Sequence, residues 1–263
     1  MPSVYAHYRF GAQLISQMPP PIQRTIGRFR QLYDMGLHGP DILYYQGALV
    51  PGTGIKLGNK FHTQTGKVFF EHVCRAVRLS PSEGAMAYLY GVLAHYALDS
   101  LSHPFINRMA GQGKATHTQI ETEFDRFLLE RDGKRPPHLQ DLSGHMKLTP
   151  GECETVAGFY THVSAATVRK CVDNMAAATK ILVMPQSGQR KLVEKTMGIF
   201  SSRVAGRLMP VHPNRACSML NPSLLRLYEM AMDRYPVLLE QIRAHLRRNA
   251  PLGTDFSVPF GCE

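Results

Sequence analysis

Apolar residues recur at helical spacing along most of this chain, and the alternation typical of strands is nearly absent. Proline and capping signals divide the pattern into segments, such as the break at Pro19-Pro20-Pro21 and the capping box that Thr149 and Glu152 predict. We therefore expect an all-α protein in which residues 1–263 form a single multi-helix domain. The predicted helices cover about 6–17, 22–35, 63–78, 83–103, 117–130, 149–183 (as one or two helices), 189–204 and 223–248, and 36–58 is predicted as a loop.

The central segment, residues 86–106, is apolar almost all the way round, which is typical of a helix inside a core. It also carries His95, Asp99 and His103, whose spacing of four places them in one column on a helix face. Burying these groups is costly unless something satisfies them. Because the residue before a proline resists the α-helical conformation, we expect this helix to end near His103-Pro104.

His117 and Glu121 repeat the spacing of four on the next predicted helix. Taken alone, His95 with Asp99 could be an ordinary ion pair, and His117 with Glu121 an exposed one. Together they favour a bound metal. A helical rise of about 1.5 Å per residue separates His95 from His103 by about 12 Å, so one ion cannot bind both. The column therefore predicts at least two ions.

Composition narrows the choice of metal and partner. Five dispersed cysteines indicate reduced thiols in a cytoplasm, and they leave nitrogen and oxygen atoms as the metal ligands.

The first residues lack the pattern of a signal peptide, and no uncharged run is long enough to cross a membrane. A net charge of +10 favours a partner that bears phosphate. No motif indicates a dedicated nucleic-acid-binding module.

Further ligands must come from other segments. Asp41 follows a predicted bend at Gly39-Pro40, His62 precedes the third predicted helix, and His7 lies in the first. Asp125, one turn after Glu121, could orient a ligand or form a salt bridge with Arg126 or Arg131. His72 falls within a predicted helix, where it would pack or face solvent. Six other histidines are expected at the surface or in loops: His38, His138, His145, His162, His212 and His245.

Taken in chain order, the eight candidate ligands form a pattern that resembles that of the zinc-dependent phospholipase C / P1 nuclease superfamily. They are His7, Asp41, His62, His95, Asp99, His103, His117 and Glu121. The resemblance is strongest to the cytoplasmic bacterial branch called zinc-dependent phospholipase C family proteins. The resemblance implies an all-α domain around two or three Zn²⁺ ions. It assigns Asp41, His62, His95 and Asp99 to one zinc, and His103, His117 and Glu121 to a second, with Asp41 or a hydroxide as the bridge. His7 and Asp99 would hold a third together with the chain's amino terminus.

The resemblance also implies a metal-dependent phosphoesterase that hydrolyses phosphodiester bonds, with phospholipid as substrate and transient contact with a membrane surface. Asp41 would be catalytic, and a zinc-bridging hydroxide would attack phosphorus. Two features depart from exported relatives: the chain has no Trp, and the interval from Asp99 to His103 is short. Two alternatives stay open, a nuclease or nucleotidase on the same zinc cluster and a non-catalytic, zinc-stabilised binding protein.

Overall fold

Helices make up the fold. The computed structural model describes residues 4–47, 53–183 and 206–261, and no β-strand occurs within these ranges. This confirms the all-α prediction. The α-helices are α1 (Val4–Ile15), α2 (Pro20–Arg28), α3 (Arg30–Gly36), α4 (Thr53–His62), α5 (Gly66–Leu79), α6 (Glu83–Ala110), α7 (His117–Arg131), α8 (Pro150–Ala157), α9 (Ala165–Ile181), α10 (Arg215–Ser218) and α11 (Asn221–Arg248), and 3-10 helices cover Gly39–Tyr45, Pro137–Leu139 and Thr254–Phe256.

The central helix α6 lies inside the core. Ser82 caps its amino end by accepting a hydrogen bond from the Ala85 N–H at 3.0 Å. From Gly84 to Ser100 every residue except Met86 is buried, because α3 and α11 pack along the helix on different sides. A helix that is apolar all round finds partners on every face, as the sequence pattern indicates.

The predicted end of α6 at His103-Pro104 is wrong. The helix continues through Pro104 to Ala110. A proline inside a helix costs about 3 kcal/mol because it removes a hydrogen bond and clashes with the preceding turn. The helix is packed against the core on both sides of the proline, since His103 and Ile106 are both buried while Pro104 itself is exposed.

Two other predicted segments differ from the structure. The predicted helix 22–35 is broken at Phe29 into α2 and α3, because Phe29 leaves the helical conformation. The predicted loop 36–58 contains the 3-10 helix Gly39–Tyr45 and most of α4, so His62, which precedes α5 as expected, also ends a helix. The segment 149–183 forms two helices, and the predicted helix 189–204 lies outside the described residues.

Helices α3 and α6 approach each other unusually closely at Gly36 and Gly91. A β-carbon on Gly91 would lie 2.3 Å from the carbonyl oxygen of Tyr33 and 2.8 Å from the α-carbon of Gly36. Backbone atoms cannot move aside as a side chain does, so this contact requires glycine.

Gly91→Ala is accordingly expected to destabilise the protein by at least about 1–3 kcal/mol, the usual cost of overpacking a core. The measurement is urea unfolding of the variant against the wild-type protein. Gly27→Ala is the matched control, because Gly27 is an exposed helix position and a β-carbon there would have no atom of the described residues within 4 Å. It should leave stability unchanged or raise it by up to about 1 kcal/mol. Equal effects of the two substitutions would contradict the close packing described.

None of the helices in the described part of the chain is long and apolar enough to span a membrane.

Candidate metal centre

Asp99 is the middle of the candidate centre. It lies on α6 between His95 and His103, one turn from each. Its Oδ2 lies 3.0 Å from Nε2 of His95, and its Oδ1 lies 3.0 Å from Nε2 of His7 and 3.7 Å from Nε2 of His103. One carboxylate therefore faces imidazoles from both ends of the column and from α1.

The first cluster consists of His7, Asp41, His95 and Asp99, whose ligand atoms all lie within 4.8 Å of one another. His62 adjoins it, with Nε2 at 2.7 Å from Oδ1 of Asp41, while Oδ2 of Asp41 lies 3.8 Å from Nε2 of His95. The rings of His7 and His95 are stacked with centroids 4.5 Å apart. Residues from α1, α4, α6 and the Gly39–Tyr45 helix thus converge on one point.

The second cluster consists of His103, His117 and Glu121, whose ligand atoms also lie within 4.8 Å of one another. Oε1 of Glu121 lies 3.1 Å from Nε2 of His117 and 3.4 Å from Nε2 of His103. The two α7 residues are placed by a capping box of Thr116 and Gln119, which starts the helix at His117.

His95 and His103 fall in different clusters, as the helical rise requires. The resemblance gives the place between the two zincs to Asp41 or a hydroxide. In this geometry Asp99 is the carboxylate that contacts both clusters, and the close contacts of Asp41 are with His62 and His95. His7 lies in the first cluster, and the residues that would supply the amino-terminal ligand lie outside the described part of the chain.

Backbone carbonyls orient two of the imidazoles. Nδ1 of His62 lies 2.9 Å from the Gly58 oxygen, and Nδ1 of His95 lies 3.1 Å from the Leu37 oxygen. A carbonyl only accepts, so Nδ1 of each ring donates to it and Nε2 is the ring atom that faces the carboxylates. These Nε2 atoms are buried, lie within 3.0 Å of carboxylate oxygens and form no well-directed hydrogen bond. Nitrogen and oxygen atoms grouped in this way fit the ligands of a shared cation.

The electrostatics of the centre also fit a cation. Burial alone would raise the pKa of Asp41 and of Asp99, but the neighbouring imidazoles outweigh it and hold both pKa values below the ordinary range. Burial opposes ionisation of Glu121 too, yet His117 and His103 lower its pKa. Burial lowers the pKa of His103, whereas Asp99 and Glu121 raise it to about 9. Three buried carboxylates therefore stay charged, and the positive charge that such groups require when buried is one that a bound cation would supply together with the imidazoles.

Asp41 owes its position to Gly39. Gly39 has φ of +48°, and a β-carbon there would lie 2.6 Å from the His95 ring. Glycine is needed on both counts, since other residues rarely adopt positive φ. Asp41 is buried in the resulting 3-10 helix, where the sequence predicts a bend in a loop.

Asp125 acts on the backbone of α1. Its carboxylate accepts hydrogen bonds from the N–H groups of Tyr5 at 2.9 Å and Ala6 at 2.7 Å. This satisfies two free donors in the first turn and fixes the helix start beside His7. Arg126, the salt-bridge partner considered for Asp125, instead pairs with Glu123 and Glu130.

Some expected surface histidines are internal. His38 is fully buried, and its Nε2 lies 2.7 Å from Nε2 of His145, which stacks on Tyr8. Burial lowers the pKa of both imidazoles, that of His145 to about 4, so one proton joins the pair. His245 is also buried, on α11. A single histidine carries no periodic signal of its burial, and the sequence alone could not separate these residues from loop histidines.

All eight predicted ligands are at most 7% exposed. A cavity of about 20 Å³ lies against both clusters, which is room for about one water molecule. The remaining wall of this cavity is mostly apolar and consists of Ala6, Leu98, Ser102, Ile106, Phe124 and Leu224.

The chain matches a known protein family. The family model for zinc dependent phospholipase C matches residues 6–163, a range that includes all eight predicted ligands. Neither a curated protein nor a solved structure matches the chain. The donor set of imidazole nitrogens and carboxylate oxygens is one that zinc accepts. On the match over more than half of its length, the chain belongs to the zinc dependent phospholipase C family.

Proposed function

We propose that this protein is a zinc-dependent phosphodiester hydrolase that acts on phospholipids, and that His7, Asp41, His62, His95, Asp99, His103, His117 and Glu121 bind its two or three zinc ions. The observation that supports the proposal is the convergence of three charged, buried carboxylates and five imidazoles on two adjoining clusters. A purely structural core gains nothing from burying so many ionisable groups in one place.

When bound, zinc polarises phosphoryl oxygens and brings the pKa of water near neutrality. The protein's own residues do the rest. Asp41 stays ionised, uses Oδ1 to hold His62 and keeps Oδ2 available to orient the attacking water and accept its proton. Asp99 contacts both clusters and holds them in a fixed position relative to each other. Leu98, Ile106 and Phe124 exclude bulk water from the cavity beside them, which strengthens these electrostatic interactions.

The net charge of the protein and its family both support a phospholipid substrate. A net charge of +10 favours approach to anionic lipid, and we propose transient contact with a membrane surface. We also propose that the protein acts in the cytoplasm, since the four cysteines in the described residues are free and buried. Cell fractionation with antibody detection tests the location.

The direct test is hydrolysis by the purified, zinc-loaded protein. The substrates are vesicles of a phosphatidyl lipid, a chromogenic phosphodiester and a single-stranded oligonucleotide. We expect release of the phosphorylated headgroup with diacylglycerol, loss of this activity on chelation and its return with Zn²⁺.

Two other outcomes would favour one of the alternative functions, the nuclease or the zinc-stabilised binding protein. Cleavage of the oligonucleotide without lipid hydrolysis would favour the nuclease. Absence of turnover with every substrate in protein that has bound two or three zinc ions would favour the zinc-stabilised binding protein and overturn the proposed function.

A further inference from the structure

The last described residues of the chain return to the metal centre. Helix α11 ends at the left-handed Asn249, and the C-terminal segment, residues 253–261, then runs back across α6 and α5. Its anchors are polar and specific. The Gly66 N–H donates to the Val258 oxygen at 2.8 Å, and the Tyr96 hydroxyl donates to the Asp255 oxygen at 2.9 Å. Arg234 donates to the same Asp255 oxygen at 2.7 Å.

Phe260 inserts between the apolar core and the ligands. Its ring is fully buried, with centroids 5.0 Å from Phe69 and 5.0 Å from Tyr96 on the core side. On the other side it lies 5.8 Å from the His95 ring and 6.1 Å from the His62 ring. The Phe260 ring therefore lies against two imidazoles whose Nδ1 atoms are held by backbone carbonyls.

Gly261 lies against the second cluster. Its N–H donates to the His62 oxygen at 3.3 Å, and its φ is +106°. A β-carbon at this position would be 2.4 Å from Nδ1 of His103 and 2.6 Å from its β-carbon. Glycine is therefore required here by both the backbone conformation and the space, and the backbone of Gly261 covers the side of the His103 ring that faces away from Glu121.

We propose that the C-terminal segment is part of the metal centre, with Phe260 and Gly261 as positioning residues that hold the His62, His95 and His103 rings for zinc. This inference rests on the proposed function only in taking the two clusters as zinc sites. The family match ends at residue 163, so this wall comes from a part of the chain that the match does not cover. An apolar shell around a metal site controls its solvent access, and changes to the groups that orient the ligands commonly cost about 10–100-fold in metal affinity.

The test compares Phe260→Ala with Phe256→Ala in the full-length protein. Phe256 is equally buried in the same segment but stacks on Tyr96 at 5.6 Å and packs against Phe70, away from the ligands. Zinc affinity is measured by chelator competition at a temperature where circular dichroism shows every variant folded. We expect Phe260→Ala to weaken zinc binding by about 10–100-fold. Phe256→Ala should lose comparable thermal stability and keep affinity within about threefold of the wild type.

Two further variants keep the test decisive. Phe260→Leu fills most of the space, folds more readily and should restore most of the affinity. Gly261→Ala should alter the visible absorption of the Co²⁺-substituted protein, because it displaces His103. Equal zinc affinity in Phe260→Ala, Phe256→Ala and the wild type would overturn the inference.

Wild-type protein that binds no zinc would overturn both this inference and the proposed function. Zinc binding that depends on Phe260, in protein without phosphodiesterase activity, would remove the proposed function alone.

Discussion

Asp41→Asn is expected to lower phosphodiester hydrolysis by at least about 100-fold, the lower end of what a positioned proton acceptor contributes, while the protein stays folded. The substitution is isosteric. The asparagine amide can donate to Nε2 of His62, which lies 2.7 Å from the oxygen it replaces, so the packing survives. The variant loses the negative charge that faces His95 and the attacking water. The measurement is the initial rate at saturating Zn²⁺, together with zinc content and the melting temperature.

Asp34→Asn is the matched control for this prediction. Asp34 is also buried and also paired, in its case with Arg30 at 2.7 Å, but it lies on α3 outside both clusters. The same chemical change there should leave hydrolysis unaffected. Normal turnover by Asp41→Asn, in protein with its full zinc content, would remove Asp41 from the mechanism.

His95→Ala is expected to remove at least one zinc ion per chain and to destabilise the folded protein by about 3–5 kcal/mol, the usual cost of truncating a large buried ring to alanine. His95 is fully buried between Asp41 and Asp99, and its ring stacks on His7. Without it, two carboxylates face each other across a cavity. The measurements are elemental analysis of protein purified without added metal or a histidine tag, and urea unfolding.

Removing zinc with a chelator separates the two contributions to the expected loss of stability, which are the loss of zinc binding and the loss of packing. Because zinc binding is coupled to folding, the stability difference between wild type and His95→Ala should shrink once zinc is removed, leaving the packing loss. His245→Ala is the control. His245 is buried on α11 and its Nδ1 lies 2.8 Å from the Ala250 oxygen, so its replacement should cost stability without loss of zinc. Unchanged zinc content in His95→Ala would mean that the column on α6 is not the metal site.

The predictions made from sequence succeed where a local period governs the outcome. The spacing of His95, Asp99 and His103 sets one column on α6 because a helix repeats about every four residues. The same period brings His117 and Glu121 together at the start of α7, which Thr116 caps. An apolar pattern on every face likewise predicts a buried helix whatever packs against it.

Local rules fail where packing outweighs them. The preference against helix before Pro104 is a local one, and α6 continues through it where His103 and Ile106, on either side of the proline, are buried in the fold. The bend expected at Gly39-Pro40 is instead a buried 3-10 helix, because Gly39 lies directly against the His95 ring.

Local patterns in the sequence are enough to predict the helical class, the buried column of α6 and the types of atom available to a metal. Which of these atoms meet depends on the packing of the helices against one another. Three features of the centre join residues that are far apart in the sequence: the place of Asp99 between two clusters, the cap that Asp125 provides for α1, and the contacts of Phe260 and Gly261 with the ligands. The hydrogen bond between Gly261 and His62 spans 199 positions. Such contacts follow from the summed packing of all helices, and no spacing within one segment encodes them.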